Sequence, residues 1–169
     1  MKLNRGFTTI ELVTVIIIVA ILAVNVLPRF DGTASYEAHT NRAQLISALR
    51  LTQQRAMQQT NSEAVNNLTP YCHHIIFDTT KARYGVPNRT DCTVTSFSSG
   101  WQPDATGHEV DARYDITFSV SFVGDAIISF DWMGRPLGGC ANGCTIDVES
   151  AVETLTIEIE EEGYIHGSL

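Results

Sequence analysis

The chain has 169 residues, the size of one small domain, and carries 11 Lys and Arg against 19 Asp and Glu for a formal net charge of −8. An acidic balance of this kind repels phosphate backbones and argues against a general nucleic-acid surface. The apolar fraction of 44% is raised by a single run near the N-terminus.

This N-terminal run begins after a short basic leader over residues 1–6 and covers residues 7–27, which is 21 residues. As a helix it rises about 32 Å, close to the roughly 30 Å hydrocarbon core of a bilayer. Lys2 and Arg5 precede it, so the positive-inside rule places the N-terminus in the cytoplasm. The sequence therefore predicts one membrane-spanning helix.

One acid, Glu11, interrupts the apolar run. A carboxylate at the centre of a span costs about 2.5–3.5 kcal/mol, and less near an end. Glu11 either reaches the headgroups or awaits a cation inside an apolar assembly. Cleavage after Gly6 removes the basic residues, keeps the apolar run and supplies such a cation, the new amine of Phe7.

The segment Arg5–Leu12 resembles the processing site of type IV pilins and type II secretion pseudopilins, with Thr9 in place of the more usual leucine. The resemblance implies that a prepilin peptidase cuts after Gly6 and methylates Phe7. It also implies that Glu11 pairs with the N-terminus of a neighbouring subunit. Residues 27–30, 36–38 and 53–59 are similar to minor pilins of the mannose-sensitive haemagglutinin pilus.

The pattern along the chain and this resemblance together imply an α+β fold. A long N-terminal helix, with a membrane-spanning half and an amphipathic half, is expected to pack on an antiparallel β-sheet or sandwich domain. The expected parts are a prepilin leader at 1–6, a transmembrane or filament-core helix at 7–27, an amphipathic helix at 28–60 and a β-rich periplasmic domain at 61–169. The expected location is the inner membrane in a single pass, and then a pilus or pseudopilus on the cell surface.

The implied function is that of a minor type IV pilin, which helps to start or finish a pilus used for surface attachment. The alternatives are a minor pseudopilin of a type II secretion system and a DNA-binding minor pilin. The DNA-binding role is disfavoured because the one basic cluster after the helix has three residues, too few charges for strong phosphate binding at physiological salt. These residues are Lys81, Arg83 and Arg89. The implied partners are other pilin subunits, reached through the N-terminal helix, the prepilin peptidase, the membrane and an inner-membrane assembly platform.

Four cysteines allow three disulfide connectivities, and the local pairing of Cys72 with Cys92 and of Cys140 with Cys144 is favoured. A zinc site could instead use Cys72, His73, His74 and the Cys140/Cys144 pair. Adjacent residues of a strand point to opposite faces, which makes a poor chelate, and disulfides are the default in an oxidising compartment. We therefore expect two disulfides and no metal.

Secondary structure is predicted from the spacing of apolar residues. An amphipathic helix is expected over 35–59, with Tyr36, Ala43, Ile46, Leu49 and Met57 along its apolar stripe, beside Leu45 and Ala56. Strands are expected at 71–77, 92–97, 115–123, 126–132, 145–148, 153–160 and 163–166.

Catalytic patterns are scarce in this sequence. The five histidines are scattered, and Asp131 with Arg135 suits an ion pair that stabilises a turn. The acidic run at 158–162 is expected to be a solvated hairpin rather than a calcium site. The sequence thus predicts no enzyme, no catalytic residue and no cofactor.

Overall fold

The computed structural model describes residues 8–26, 32–58, 73–78, 80–89, 91–122 and 124–168. The chain divides into two compact units, Met1–Thr33 and Ala34–Leu169. The predicted leader at 1–6, the cleavage site at Gly6 and Phe7, and Cys72 lie outside the described residues.

The first helix, α1, spans Thr9–Val26. Thr8 caps its start, because the backbone N–H of Glu11 donates to Thr8 Oγ1 at 3.4 Å and that of Leu12 donates to the Thr8 carbonyl at 3.2 Å. Its 18 residues rise about 27 Å, less than the roughly 30 Å hydrocarbon core. Among the described residues, no helix combines the length and the apolar character needed to cross a bilayer.

This finding corrects three predictions. The transmembrane helix at 7–27 is wrong, and so is the single-pass location in the inner membrane that depended on it. The predicted fold class is also wrong, since it required one long helix with a membrane-spanning half. The chain instead has two described helices, α1 and a second helix, and a mostly β domain with two antiparallel sheets.

The second helix, α2, spans Gly32–Gln58 and buries one face. The buried positions recur every three or four residues, as one face of a helix requires. They are Ala38, Asn41, Leu45, Ala48, Leu49, Thr52 and Ala56.

The predicted apolar stripe of α2 is partly wrong, because Tyr36 is 70% and Met57 42% exposed. Two polar residues occupy the buried face in their place. Asn41 Nδ2 donates to the Glu37 carbonyl at 2.8 Å, and Thr52 Oγ1 donates to the Ala48 carbonyl at 2.9 Å. These bonds satisfy Asn41 Nδ2 and Thr52 Oγ1, whereas Asn41 Oδ1 has no partner among the residues that the structure describes.

The first sheet has the strand order β3-β2-β1-β5, all antiparallel. Its central pair is β1 and β2, with Phe77 opposite Tyr84. The strand bounds are β1 His74–Asp78, β2 Arg83–Gly85, β3 His108–Glu109 and β5 Ile127–Ser129.

The second sheet has the order β4-β6-β7-β8 and is also antiparallel. Ile146 lies opposite Ile157, so the apolar residues of the central strands share the inner face. The outer face carries polar side chains such as Thr145 and Glu158. The strand bounds are β4 Thr117–Val120, β6 Cys144–Glu149, β7 Thr154–Ile159 and β8 Ile165–Gly167.

The core forms where the buried face of α2 and the inner faces of both sheets meet. Aromatic rings connect the two sheets: the Phe118 ring lies 5.2 Å from that of Tyr84, edge to face, and 6.3 Å from that of Phe77. Edge-to-face pairs add to the stabilisation that comes from burial alone. α2 and the sheets therefore form one packed unit.

The predicted strand at 92–97 is wrong. The Asp91 carboxylate accepts hydrogen bonds from the Thr93 backbone N–H at 3.0 Å and from the Thr93 hydroxyl at 2.6 Å. A side chain that bonds the backbone two residues ahead favours a turn over a sheet ladder. The segment is accordingly irregular.

Candidate functional site

The surface of α1 is apolar on all the sides that the structure describes. Its large apolar side chains are between 45% and 69% exposed within the chain. A helix that is hydrophobic all round is normally covered by other elements. The exposed residues are Ile10, Leu12, Val13, Val15, Ile16, Ile17, Ile18, Val19, Ile21 and Leu22.

Glu11 lies exposed in the first turn of α1. Thr8 at the cap and Glu11 three residues later have the spacing of a capping box, in which the acid can reach back to the cap backbone. The partial positive charge at a helix N-terminus also favours a carboxylate, by about 0.3–1 kcal/mol. Glu11 therefore stabilises its own helix start, and this role has to be separated from any role in assembly.

The predicted processing residues Gly6 and Phe7 lie outside the described residues. The predicted assembly residue, Glu11, lies at the start of α1, three residues after Thr8. Thr14, one turn further on, donates its hydroxyl proton to the Glu11 carbonyl at 2.9 Å. The Thr14 hydroxyl is thus satisfied within the helix.

A glutamine clasp, formed by Gln53, Gly134 and Gly163, fastens α2 to the β domain. Gln53 Nε2 donates to the carbonyls of Gly134 at 2.7 Å and Gly163 at 2.6 Å. Gly163 has φ of +90°, and a Cβ there would overlap the Gly134 carbonyl oxygen. This clasp is not predictable from local sequence patterns alone, although the glycine after the run Glu160–Glu162 signals a tight turn.

Two arginines extend the attachment of α2 along the C-terminal segment. Arg50 Nη2 donates to the Ile165 carbonyl at 2.7 Å, and Arg42 Nη2 donates to the Ser168 carbonyl at 2.9 Å. Hydrogen bonds from charged donors are stronger than neutral ones. The same helix that follows α1 in the chain is therefore held to β8 and the residues after it.

Cys140 and Cys144 form a disulfide with a Cα–Cα distance of 5.0 Å. Cys92 is also disulfide-bonded, and the structure has no free cysteine among the residues it describes. Its predicted partner, Cys72, lies outside the described residues. Cys140 and Cys144 are thus unavailable as zinc ligands.

Two of the three basic residues considered for phosphate binding, Arg83 and Arg89, are engaged with carboxylates. Arg83 Nη2 lies 2.7 Å from Asp78 Oδ2, and Arg89 Nη2 lies 3.4 Å from Asp104 Oδ2. The Arg83 guanidinium also stacks 4.7 Å from the centre of the Phe97 ring. These contacts offset the positive charge of the cluster and do not favour a nucleic-acid surface.

Asp78 is held ionised by its surroundings. Burial by itself would raise its pKa, but hydrogen bonds from Thr80 and Arg83, together with the Arg83 charge, outweigh it and lower the pKa to about 2. Thr80 donates both its backbone N–H and its hydroxyl to Asp78 Oδ1. Asp78 is thus a structural carboxylate of the turn between β1 and β2.

A groove of about 780 Å³ lies beside this turn and is lined by several carboxylates. Asp78 and Glu109 lie 2.7 Å and 3.8 Å from the guanidinium nitrogens of Arg83. Asp111 accepts from the backbone N–H of Arg113 and caps a short 3₁₀ helix. Each of these acids has a structural partner, so we assign no chemistry to the groove.

The remaining titratable groups have mainly structural surroundings. Burial lowers the pKa of His74, although a hydrogen bond with the Val94 backbone acts to raise it. Burial also lowers the pKa of His108, although the negative charge of Glu37 acts to raise it. Asp131 and Arg135 form the predicted ion pair at 2.8 Å.

Comparisons with protein-family models, curated proteins and solved structures gave no match for this chain. A functional assignment therefore depends on the N-terminal motif and on the surfaces described above.

Proposed function

We propose that the chain is a minor subunit of a type IV pilin-like filament, processed after Gly6 and assembled through α1. The observation that carries this proposal is the exposed apolar surface of α1, which begins next to the lone acid Glu11. The sequence motif around Gly6 and Phe7 supplies the expected processing step.

Association of several α1 helices would cover their apolar surfaces. Fully burying one valine, leucine or isoleucine side chain stabilises an assembly by about 1.5–3 kcal/mol before the entropy cost of association. A contiguous apolar surface of this kind on a free chain marks an interaction site. The proposed occupant of that surface is the equivalent helix of other subunits.

Glu11 gives this assembly its register. Inside a bundle of apolar helices an unpaired carboxylate is costly, whereas a carboxylate that meets an ammonium group is compensated. The amine of Phe7 on a neighbouring subunit, released by cleavage after Gly6, is the proposed cation. A subunit shifted along the filament axis would leave both charges unpaired, and this penalty selects one axial position.

Within the second unit, α2 is fastened to the β domain. The clasp at Gln53 and the bonds from Arg42 and Arg50 join the helix to residues 134, 163, 165 and 168. We assign filament assembly to α1, and the outer surface of the β domain remains available for other contacts. A prepilin peptidase and an assembly platform are the further partners that this assembly requires.

The test compares three Glu11 and Thr14 variants of the full chain in the cells that make it. Glu11→Val removes charge and capping, while Glu11→Gln removes the charge and keeps hydrogen-bonding capacity at the helix start. Thr14→Val is the matched control, because it replaces a polar group of the same helix with an apolar one of similar shape. The amount of subunit in sheared filaments is measured against the amount in the cells.

Both Glu11 variants should be at least tenfold depleted from filaments, with Thr14→Val close to wild type. Entry of Glu11→Gln at the wild-type level would contradict the ion pair and leave only a capping role. Parallel assays in cells lacking either the pilus or the type II secretion machine show which filament takes up the subunit. Uptake by neither would contradict the proposal.

A further inference from the structure

The outer face of the second sheet brings together two carboxylates and an imidazole at the β7–β8 hairpin. Glu158 lies directly across the strand pair from His166, and Glu160 follows two residues later, just after the end of β7. His166 Nε2 lies 3.3 Å from Glu160 Oε1 and 3.9 Å from Glu158 Oε2. We propose that Glu158, Glu160 and His166 bind a divalent transition-metal ion, with Zn²⁺ as the probe.

The distances suit a small ion. Zinc lies about 2.0–2.2 Å from nitrogen and oxygen ligands in tetrahedral sites, which places neighbouring ligand atoms about 3.4 Å apart. The candidate ligand atoms of the three residues all lie within 4.8 Å of one another. Glu158 and Glu160 are 42% and 47% exposed in their side chains, so small rotations can close the remaining distance. The fourth position then faces solvent.

Backbone hydrogen bonds at Glu160 and a ring contact at His166 hold these two ligands at the tight turn between β7 and β8. The N–H of Glu160 donates to the Tyr164 carbonyl at 2.9 Å, and the N–H of Gly163 donates to the Glu160 carbonyl at 2.9 Å. The Tyr164 ring stacks on the His166 ring, with 5.0 Å between centres and 29° between planes. The ligand positions are therefore largely formed before a metal arrives, which lowers the ordering cost of binding.

The donor set favours zinc-like ions over calcium. Calcium takes six to eight oxygen ligands, whereas one imidazole nitrogen and two carboxylates suit Zn²⁺, Ni²⁺ or Cu²⁺. The acidic run Glu158–Glu162, expected from the sequence to be a solvated hairpin, thus contributes two ligands beside a histidine from the returning strand. The other acids of the run, Glu161 and Glu162, are outside the cluster.

The site is tested by titrating the full chain with Zn²⁺ in a calorimeter and by following the His166 ring resonances by NMR. We expect one Zn²⁺ per chain and a selective shift of the His166 signals. His166→Ala, Glu158→Gln and Glu160→Gln should each weaken binding at least tenfold. Since all three side chains are partly exposed, these variants should fold, and circular dichroism checks this.

Glu161→Gln is the matched control, because it removes the same charge from the same turn without removing a ligand. It should bind Zn²⁺ within about twofold of wild type, as expected for a surface charge change. Equal weakening by Glu161→Gln would overturn the proposal in favour of diffuse attraction to an acidic surface. Absence of Zn²⁺ binding, or binding unchanged in His166→Ala, would also overturn it, as would displacement of Zn²⁺ by an equal concentration of Ca²⁺.

Discussion

At the scale of single residues, Gly163 allows the attachment of α2 because it has no Cβ atom. Its φ of +90° is a conformation that favours glycine, and a Cβ would overlap the Gly134 carbonyl oxygen and lie 2.7 Å from Gln53 Nε2. We expect Gly163→Ala to lower the free energy of unfolding by about 3 kcal/mol. Urea denaturation measures the change.

Gly100 supplies the control for that substitution. A Cβ at Gly100 meets no atom within 4 Å, and its φ lies outside the left-handed region. Gly100→Ala should change the free energy of unfolding by no more than about 0.5 kcal/mol. Equal losses of stability in the two alanine variants would contradict the stabilising role of the glutamine clasp.

His74 should make stability depend on pH. Burial lowers its pKa, so the unfolded chain binds a proton near pH 6.5 that the folded chain accepts only at lower pH. This contribution is complete above about pH 6.5, where neither state binds the proton, and it is lost as the pH falls below that value toward the lower pKa of the folded chain. His74→Val should therefore flatten the decline in unfolding free energy between about pH 7.5 and 5.5.

The matched control is Ile76→Val, on the same strand and the same face. It removes one buried methylene and should cost about 0.5–1.5 kcal/mol at every pH. Urea denaturation of both variants at each pH gives the two slopes. A slope for His74→Val identical to wild type would show that other groups cause the pH dependence.

At the scale of elements, the Cys140–Cys144 disulfide precedes a central strand. Cys144 is the first residue of β6 and lies opposite Ile159 of β7, so the bridge fixes the entry into the second sheet. The chain-entropy estimate for a loop of about five residues is about 2 kcal/mol, against about 3 kcal/mol for a loop of about 20.

The corresponding prediction compares two double variants. Cys140→Ala with Cys144→Ala should lower the free energy of unfolding by about 2 kcal/mol, and Cys72→Ala with Cys92→Ala by about 3 kcal/mol. Guanidinium denaturation and peptide mapping of the remaining bridge check both values. A larger loss from the first pair would contradict loop closure as the main source of stability.

Elements with a strong local pattern could be predicted from the sequence. Alternation of Phe118 with exposed Thr117 and Ser119 located β4, and the apolar residues Ile157 and Ile159 located β7. Period-two patterns suffice here because each strand has one buried face. The strand predicted at 92–97 is wrong because the Asp91 side chain bonds the Thr93 backbone and outcompetes strand pairing.

Helices were harder to predict in detail. The buried face of α2 includes Asn41 and Thr52, which an apolar stripe omits, and excludes Tyr36 and Met57. Asn41 and Thr52 are tolerated on this face because their side chains bond the helix's own backbone, and hydrophobicity alone does not capture this. The predicted start of α1 at residue 7 is too early, since Thr8 precedes the helix and an apolar run in sequence does not fix where helical hydrogen bonding begins.

At the scale of the whole molecule, long-range pairing explains what the sequence could not indicate. The meeting of Glu158 with His166 depends on the register of β7 and β8, and the glutamine clasp joins residues 81 and 110 positions apart in the chain. Glu11, by contrast, was identified from local sequence alone, because an acid in an apolar run is unusual. The proposed filament role combines this local signal with the exposed surface of α1.

The most direct test of the central claim is the mass and N-terminal sequence of the subunit recovered from sheared filaments. We expect a chain that begins at Phe7, carries one methyl group on its amine and lacks residues 1–6. A Gly6→Val variant, which places a branched side chain at the cleaved bond, should keep the leader and be depleted from the filaments, whereas the control Leu3→Val should be processed normally. A filament-associated chain that still begins at Met1, or one cut between residues 20 and 23, would contradict the account.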